Sequence, residues 1–493
     1  MTRVFVVWDD SHLWGLLVLR FLRALELPHG ILRAHDIAEG ALSGKCAAPG
    51  GFRDAPAPAG ARALPHLSPN DAPPLLIVPG GWARGKALRL GAAGLEAIRA
   101  FVAGGGNYLG FCGGAGLALT SPRGQDSLGL CPWGRMGFAG RLQHFLSGDV
   151  RLALSDADPL ALPGAAEALA QVWWPGQFAP PPRQKEGGDG VQVLARYAGL
   201  GPDFWVADLA LSRFPEETLS DWENLYGLQV RPDFLTGRPA VISGQYGTGR
   251  YVLSYPHLET PDSPQANAWL AHLLRSLTSA AAPDLCPAGT PNGSTQNLST
   301  SDVSTSGVSP LAHTPACAAP PSPTVPPWHV GAGAPRWPDA VLCEAKAGLE
   351  EVIRLGQDHL LLFWRNPWLL GWRRGVPGPG INGVYALVCE ALSCPAPAPG
   401  SAAAQLWAAR SGDFARLATL FCKGLSGLLL AERLDMTVRQ TPGVDGADDM
   451  FTKNLRDMRT ALFGPPPSAG GVCGQLLGIL EELCARLWGD ERL

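Results

Sequence analysis

Charge is scarce in this sequence. Its 39 Lys and Arg and 43 Asp and Glu make up 17% of the residues, against about a quarter in a typical globular domain. The formal net charge is -4, so no large positive field is available to hold a phosphate backbone, and no nucleic-acid partner is expected. Paired cysteine spacing is missing too. The 11 cysteines are an odd number and lie without CxxC pairs, which argues against a disulfide framework and against a bound metal such as a zinc knuckle. They fit a reducing cytoplasm, where most thiols serve as small apolar core groups. Long uncharged apolar runs are lacking as well. Residues 16–27 are apolar but carry Arg20, Arg23 and Glu26, short of the roughly 18 apolar residues a spanning helix needs. The opening ten residues contain Asp9 and Asp10 and no apolar leader with a small-residue cleavage site. No transmembrane segment is expected, and the expected location is cytoplasmic.

Gly (61) and Pro (46) fill the space that charge leaves, and 493 residues are too many for a single compact core. Over the first 120 or so residues, strand and helix signals alternate. Residues 4–8, 31–34, 75–78 and 107–111 read as buried strands, and 13–25 and 95–102 as helices. Residues 45–70 read as an inserted loop. Alternation of this kind implies an α/β fold with a mostly parallel, doubly wound sheet. Residues 150–280 are richer in strands, at 172–174, 192–197, 240–243 and 250–254, and close on a helix over 266–278. Residues 280–335 are Ala, Pro, Ser, Thr and Gly with almost no charge, and read as a disordered linker. From 336 onward the spacing is helical, with helices over 383–392, 403–434, 448–462 and 474–488, which implies a small all-α region. The domain division is therefore 1–279, 280–335 and 336–493.

The most informative stretch is Gly110-Phe111-Cys112-Gly113-Gly114. A strand ends, one residue sits at a sharp turn, and a helix begins. Gly110 and Gly114 flank the turn because strand and helix approach closely at such an elbow. The turn lifts the Cys112 thiol out of the sheet and sets it at a helix N-terminus, where the dipole favours thiolate. The Gly113 N–H would face a developing oxyanion, and Gly80 or Gly81 in Pro79-Gly80-Gly81, after the preceding strand, would supply a second donor. Tyr255-Pro256-His257-Leu258-Glu259 provides a base for the thiol and a carboxylate to orient it. Cys112, His257 and Glu259 are thus the candidate triad. The bland alternatives are a structural thiol at a tight turn, a surface His–Glu pair and a plain glycine turn.

Together these features resemble the class I glutamine amidotransferase superfamily. Residues 98–102 and 105–112, the run Val172-Trp173-Trp174-Pro175-Gly176-Gln177-Phe178 and the strand at 191–197 resemble, more closely, the N-terminal domain of biotin–protein ligases. The resemblance covers roughly residues 3–275 and implies a flavodoxin-like sheet and amide chemistry at the cysteine. No Gly-Arg-Gly-Arg-type biotinyl-adenylate loop appears, so biotin transfer is not implied. Glutamine-using members carry Gln four residues after the nucleophile, where this sequence has Gly116. Two functions follow as expectations. One is a cysteine-dependent amidotransferase or amidohydrolase acting on a small-molecule amide without any cofactor. The other is a non-catalytic small-molecule-binding module whose C-terminal helices engage a protein partner. Asp9, Asp10 and His12, at the carboxyl edge of the first strand, either line the pocket or cap the following helix. Trp364, Arg365, Trp368, Trp372, Arg373 and Arg374 read as a helix–turn with buried tryptophans, or as a membrane or partner element. Cysteines 343, 389, 394, 422, 473 and 484 read as core groups.

Overall fold

A computed structural model of the chain describes residues 4–42, 73–121, 126–136, 145–155, 158–181, 190–227, 229–279, 327–373, 379–440, 449–465 and 470–490. The inserted loop read at 45–70 lies outside them, as does the larger part of the linker read at 280–335.

The strands β1 (Val4–Val7), β2 (His29–Leu32), β3 (Leu75–Val78) and β4 (Asn107–Phe111) are short and almost wholly apolar. Such strands are stable only when both faces are covered. Alternate side chains do face different cores: Val4 and Val6 lie in one, Phe5 and Val7 in the other. The first core is covered by α1 (His12–Ala24), the second by α3 (Ala83–Ala103) and α4 (Gly113–Ala118), with the short α2 (Ala34–Ala38) beside α3. Helices on both faces make the fold doubly wound, as the alternation implied. The helix read at 95–102 begins earlier, at Ala83, and bends at Gly91, whose φ is 60°.

The chain then adds β5 (Gly134–Met136), β6 (Leu146–Leu154), β7 (Glu167–Trp173), β8 (Gln177–Ala179), β9 (Gln192–Val206) and β10 (Leu209–Ala210). After α5 (Glu216–Tyr226) come β11 (Pro239–Tyr246), β12 (Gly249–Ser254) and α6 (Pro264–Thr278). The main sheet runs β2-β1-β3-β4-β12-β11-β9-β6-β7. It is parallel from β2 through β12 and antiparallel beyond. β7 is far from β4 in this order, yet Gln171 bridges His257 beside the end of β12. The antiparallel half therefore curls back over the carboxyl edge of the parallel half.

The C-terminal region contains α7 (Ala340–Asp358), the hairpin β13 (Leu362–Asn366) and β14 (Leu369–Trp372), then α8 (Pro379–Ser393), α9 (Ala402–Gln440), α10 (Asp449–Phe463) and α11 (Gly471–Asp490). It is helical as expected, apart from the hairpin. The helix–turn read for Trp364–Trp372 is corrected: these residues are two antiparallel strands turning at Pro367 and Trp368. β-branched residues are rare here, but large aromatic side chains suit a half-buried strand equally well. Residues 327–335, placed in the linker by composition, are anchored at two points. Trp328 and Val330 are buried, and the Val330 N–H donates to the Pro367 carbonyl at 3.0 Å. One apolar core continues from Val6 and Trp8 through α1 into Leu387, Leu483 and Trp488. Among the described residues one helix, Ala402–Arg439, is long and apolar enough to cross a membrane by length and composition, an 18-residue stretch of it reaching a mean hydropathy of 1.4. Its apolar residues include Phe414, Phe421, Leu425 and Leu429, all buried in the core.

Candidate active site

β4 ends at Phe111 and α4 begins at Gly113, leaving Cys112 as the single corner residue, with φ 46° and ψ -104°. A non-glycine residue at positive φ is strained and persists only where its surroundings fix it. Two bonds do so here. The Cys112 N–H donates to the Ser254 carbonyl at 2.7 Å, and the Cys112 carbonyl accepts from the Gly116 N–H at 2.9 Å. The flanking glycines are sterically required. A side chain at Gly110 would run into Gly114, one at Gly114 into the Val78 carbonyl, and one at Gly113 into the Gly81 carbonyl. Gly80, Gly81 and Gly113 are therefore neighbours at the ends of β3 and β4.

His257 and Glu259 lie immediately after β12, and both are 0% exposed. His257 Nδ1 is 2.7 Å from Glu259 Oε1. The His257 ring stacks on Trp14 at 4.0 Å between centroids, and its main-chain N–H donates to the Gln171 carbonyl at 2.7 Å. A Cβ at Gly80 would lie 2.7 Å from His257 Cε1, so glycine leaves room for the ring. Asn267 on α6 holds the loop from behind, its Nδ2 donating to the carbonyls of Leu258 and Thr260.

The three sequence-predicted side chains thus converge. Burial opposes ionisation of both the thiol and the imidazole, but their mutual attraction wins. The nearby His257 holds the Cys112 thiol below its ordinary range, with Arg135 adding to the effect, while among the described residues His257 Nε2 has no hydrogen-bond partner and the thiol donates to the Trp173 carbonyl. His257 is raised to about 10, first by Glu259 and then by Cys112, against the desolvation that burial imposes. Each group favours the charged form of the other. The Cys112 sulfur also lies 3.7 Å from the Trp173 carbonyl, which the curled-back β7 brings to this edge.

Beside Cys112 is a cavity of about 280 Å³. It opens where β1 and β3 send their chains to opposite faces, the usual ligand crevice of an open α/β sheet. Its walls include Trp14, Trp82, Trp173 and Trp174, with Asp10, His12 and Arg89 at the polar side. Asp10 and His12 therefore line the cavity, one of the two roles open to them. The helix-capping role is corrected. Asp9 serves α2 instead, accepting from the Ala34 N–H at 2.5 Å and from Arg33 Nε at 2.8 Å. Ser11, at the cap position of α1, makes no capping bond with its side chain. The first turn of α1 is capped by Glu481 of α11, whose carboxylate accepts the N–H groups of Asp10 (3.3 Å), Ser11 (3.1 Å) and His12 (3.1 Å).

Lys86 braces the loop behind this wall, with no forewarning in the sequence. It is 1% exposed, and its Nζ donates to Ser11 Oγ at 2.6 Å and to the Asp9 carbonyl at 3.1 Å. Burial lowers its pKa to about 8, against the pull of Asp10 and Glu481. A basic residue in the first turn of a helix carries no sequence signal of burial. The sequence marks Trp14, Trp173 and Trp174 only as helix or strand residues and Trp82 not at all, and Glu481 lies some 470 positions from the loop it holds. The cysteine expectations hold in part: Cys394, Cys473 and Cys484 are buried, whereas Cys343, Cys389 and Cys422 are half-buried. Among the described residues, no group of three or more His, Cys, Asp or Glu side chains is placed to hold a metal ion.

Residues 69–121, which include β3, α3, β4 and the cysteine corner, match the family model described as biotin-protein ligase, N terminal. Over this segment the chain resembles that family. No curated protein matches the sequence. Among solved structures, the chain is similar to a ThuA-like protein from Bacteroides uniformis, at 13% identity and TM-score 0.33, covering 56% of this chain and 91% of that one. It is also similar to a GMP synthase component from Thermoplasma acidophilum, at 11% identity and TM-score 0.32, over 56% and 93%. A third is PurLQS from Thermotoga maritima, at 13% identity and TM-score 0.31, over 56% and 99%.

Proposed function

We propose that this protein, whose N-terminal domain is amidotransferase-like, is a cysteine-dependent acyl-transfer enzyme that cleaves a small-molecule amide. The observation that carries this reading is the buried His257–Glu259 pair, 2.7 Å apart, at the same sheet edge as the strained Cys112 corner. In the proposed reaction the Cys112 thiolate attacks the carbonyl carbon. A carbon–sulfur bond forms, and the carbonyl oxygen takes up negative charge beside Gly113 and the Gly80–Gly81 loop. The carbon–nitrogen bond then breaks, and His257 gives its Nε2 proton to the departing amine. His257 next takes a proton from the acceptor, water or an amine, which attacks the thioester and releases the thiol. Glu259 keeps the ring in one orientation throughout.

The substrate in this proposal is not glutamine. Gly116 offers no amide where the glutamine users have one, while four tryptophans line the cavity. Indole rings supply broad, rigid apolar contact, which suits an acyl group with a flat, unsaturated body. Gly116 also favours the second reading, a pocket that binds such a compound without turning it over.

Alkylation separates the two. Iodoacetamide at pH 7 is expected to modify Cys112 far faster than the other cysteines, followed site by site by peptide mass spectrometry. Phenacyl bromide, a flat aryl ketone, is expected to saturate at Cys112, and 6-diazo-5-oxo-norleucine, which mimics glutamine, is not. If Cys112 reacts no faster than the rest, the enzyme reading fails and the binding reading stands.

A further inference from the structure

The loop that forms the polar wall of the cavity is not self-supporting. Asp10 and His12 both sit at positive φ, 53° and 44°. Neither is glycine, so each conformation costs energy and must be imposed from outside the loop. α1 starts at His12 with three unsatisfied N–H groups and no side chain of its own to receive them. Glu481, 2% exposed on α11, receives the first of them, that of His12, and also the N–H groups of Asp10 and Ser11 in the loop just before the helix. The same carboxylate lies 2.9 Å from His12 Nδ1, out of line with the ring N–H, so this contact is electrostatic. Two residues before Asp10, the Trp8 indole N–H donates to the Glu481 carbonyl at 2.8 Å. Lys86, fixed to Ser11 Oγ and the Asp9 carbonyl, pulls the loop from the other side.

We infer that Glu481 is a positioning residue of the active site, and that the C-terminal helical region is therefore a working part of the cavity rather than an appendage. Asp10 and His12 line the cavity together with Cys112, so the placement of two wall residues is set by one carboxylate from the last helix. The nucleophile itself is held independently, by Ser254, Gly116 and His257. Loss of Glu481 should then loosen the binding wall and spare the thiol. This separation distinguishes positioning from plain structural support.

The inference rests on the proposed reactivity of Cys112, and the test reads the two apart. Wild type, Glu481→Gln and Glu481→Leu are compared as full-length chains, with circular dichroism to establish folding. In each, two quantities are measured at Cys112: the second-order rate with iodoacetamide, which needs little of the wall, and the saturation constant for phenacyl bromide, which needs all of it. Glu481→Leu is expected to raise the saturation constant roughly tenfold or more, and Glu481→Gln, which loses the charge and offers an amide N–H to a backbone donor, roughly threefold or more. The iodoacetamide rate is expected to stay within about twofold of wild type. If the leucine variant does not fold, the glutamine variant decides alone. An unchanged saturation constant in a folded variant overturns the inference, and so does an iodoacetamide rate that falls by the same factor as the saturation constant rises, which would mark Glu481 as structural support only. Slow iodoacetamide labelling of Cys112 in wild type is a different result: it removes the acyl-transfer reading, and this inference with it.

Discussion

Cys112 keeps a left-handed backbone and a lowered thiol pKa because its neighbours leave it no alternative. Replacing His257 with Asn removes the main group that favours the thiolate and leaves burial, which raises the thiol pKa, opposed by Arg135. The rate–pH profile for alkylation of Cys112 should then move to higher pH. At pH 7 the rate should fall by roughly tenfold or more, one such factor corresponding to about 1.4 kcal/mol. An unchanged profile would show that the imidazole does not govern the thiol. Gly80→Ala tests the same contact by shape. Its Cβ would come within 2.7 Å of His257 Cε1, so the ring must shift, and labelling should slow several-fold in a protein that still folds. Much of this was legible in the chain, because the spacing Gly110, Cys112, Gly114 and the pair His257, Glu259 are local patterns with a local mechanical meaning. Lys86 was not legible. Its burial depends on Asp9, Ser11 and Glu481 meeting around it, and none of these is its sequence neighbour.

At the level of elements, the parallel strands could be read because each is a short apolar run that needs cover on both faces. The hairpin β13–β14 could not, since its tryptophans, leucines and arginines fit a helix as well as a strand. What fixes it is tertiary. Arg365, whose side chain is 3% exposed, donates to Ser147 Oγ at 2.5 Å and to Asp203 Oδ2 at 3.2 Å, joining the hairpin to β6 and β9. Its guanidinium also lies over Trp205, 4.7 Å from the ring centre. Arg365→Leu should destabilise the chain by roughly 2 kcal/mol, below the usual cost of breaking a buried pair because Asp203 is 43% exposed. Asp149 beside them is raised to about 6, by burial and then by Asp203. A carboxyl raised on folding favours the native state while it is protonated. Its contribution is present in full below about pH 4 and is lost as the pH rises through 6. Urea unfolding of Asp149→Asn should show a shallower decline over that window than wild type, and identical slopes would refute the assignment.

Over the whole molecule, the helical region and the sheet domain share one continuous core, and α1 is the helix between them. His12–Leu19 of α1 are all buried, as are Phe21 and Leu22. A helix buried on every side over its first eight residues cannot rest on a sheet alone. What covers the second side was hidden, because α8, α11 and Trp328 lie hundreds of residues away. Trp8 packs edge-on against Trp488 at 4.7 Å, Arg23 pairs with Glu390 at 2.9 Å, and Arg20 lies over Trp328 at 4.6 Å. Glu481 ties the two parts by charge as well. Its carboxyl is held at about 2 by His12, by the N–H groups of the loop and by Lys86, despite burial. A depressed carboxyl stabilises the native state above its ordinary range near 4.5, and that contribution is lost as the pH falls from there through 2. In acid the Trp8–Trp488 contact should therefore loosen earlier in wild type than burial alone would dictate, and Glu481→Gln should flatten the acid limb of a tryptophan-fluorescence titration. Truncation carries the argument furthest. A chain ended at residue 279 keeps the triad but uncovers the outer side of α1, together with Trp8. Each large apolar side chain taken from burial to water costs roughly 1.5–3 kcal/mol, and several change together. The shortened chain should melt well below the full one, bind a hydrophobic dye and associate on gel filtration. A monomeric 1–279 fragment that melts at the temperature of the full chain would mean that α1 needs no second cover and that the two parts fold as separate units.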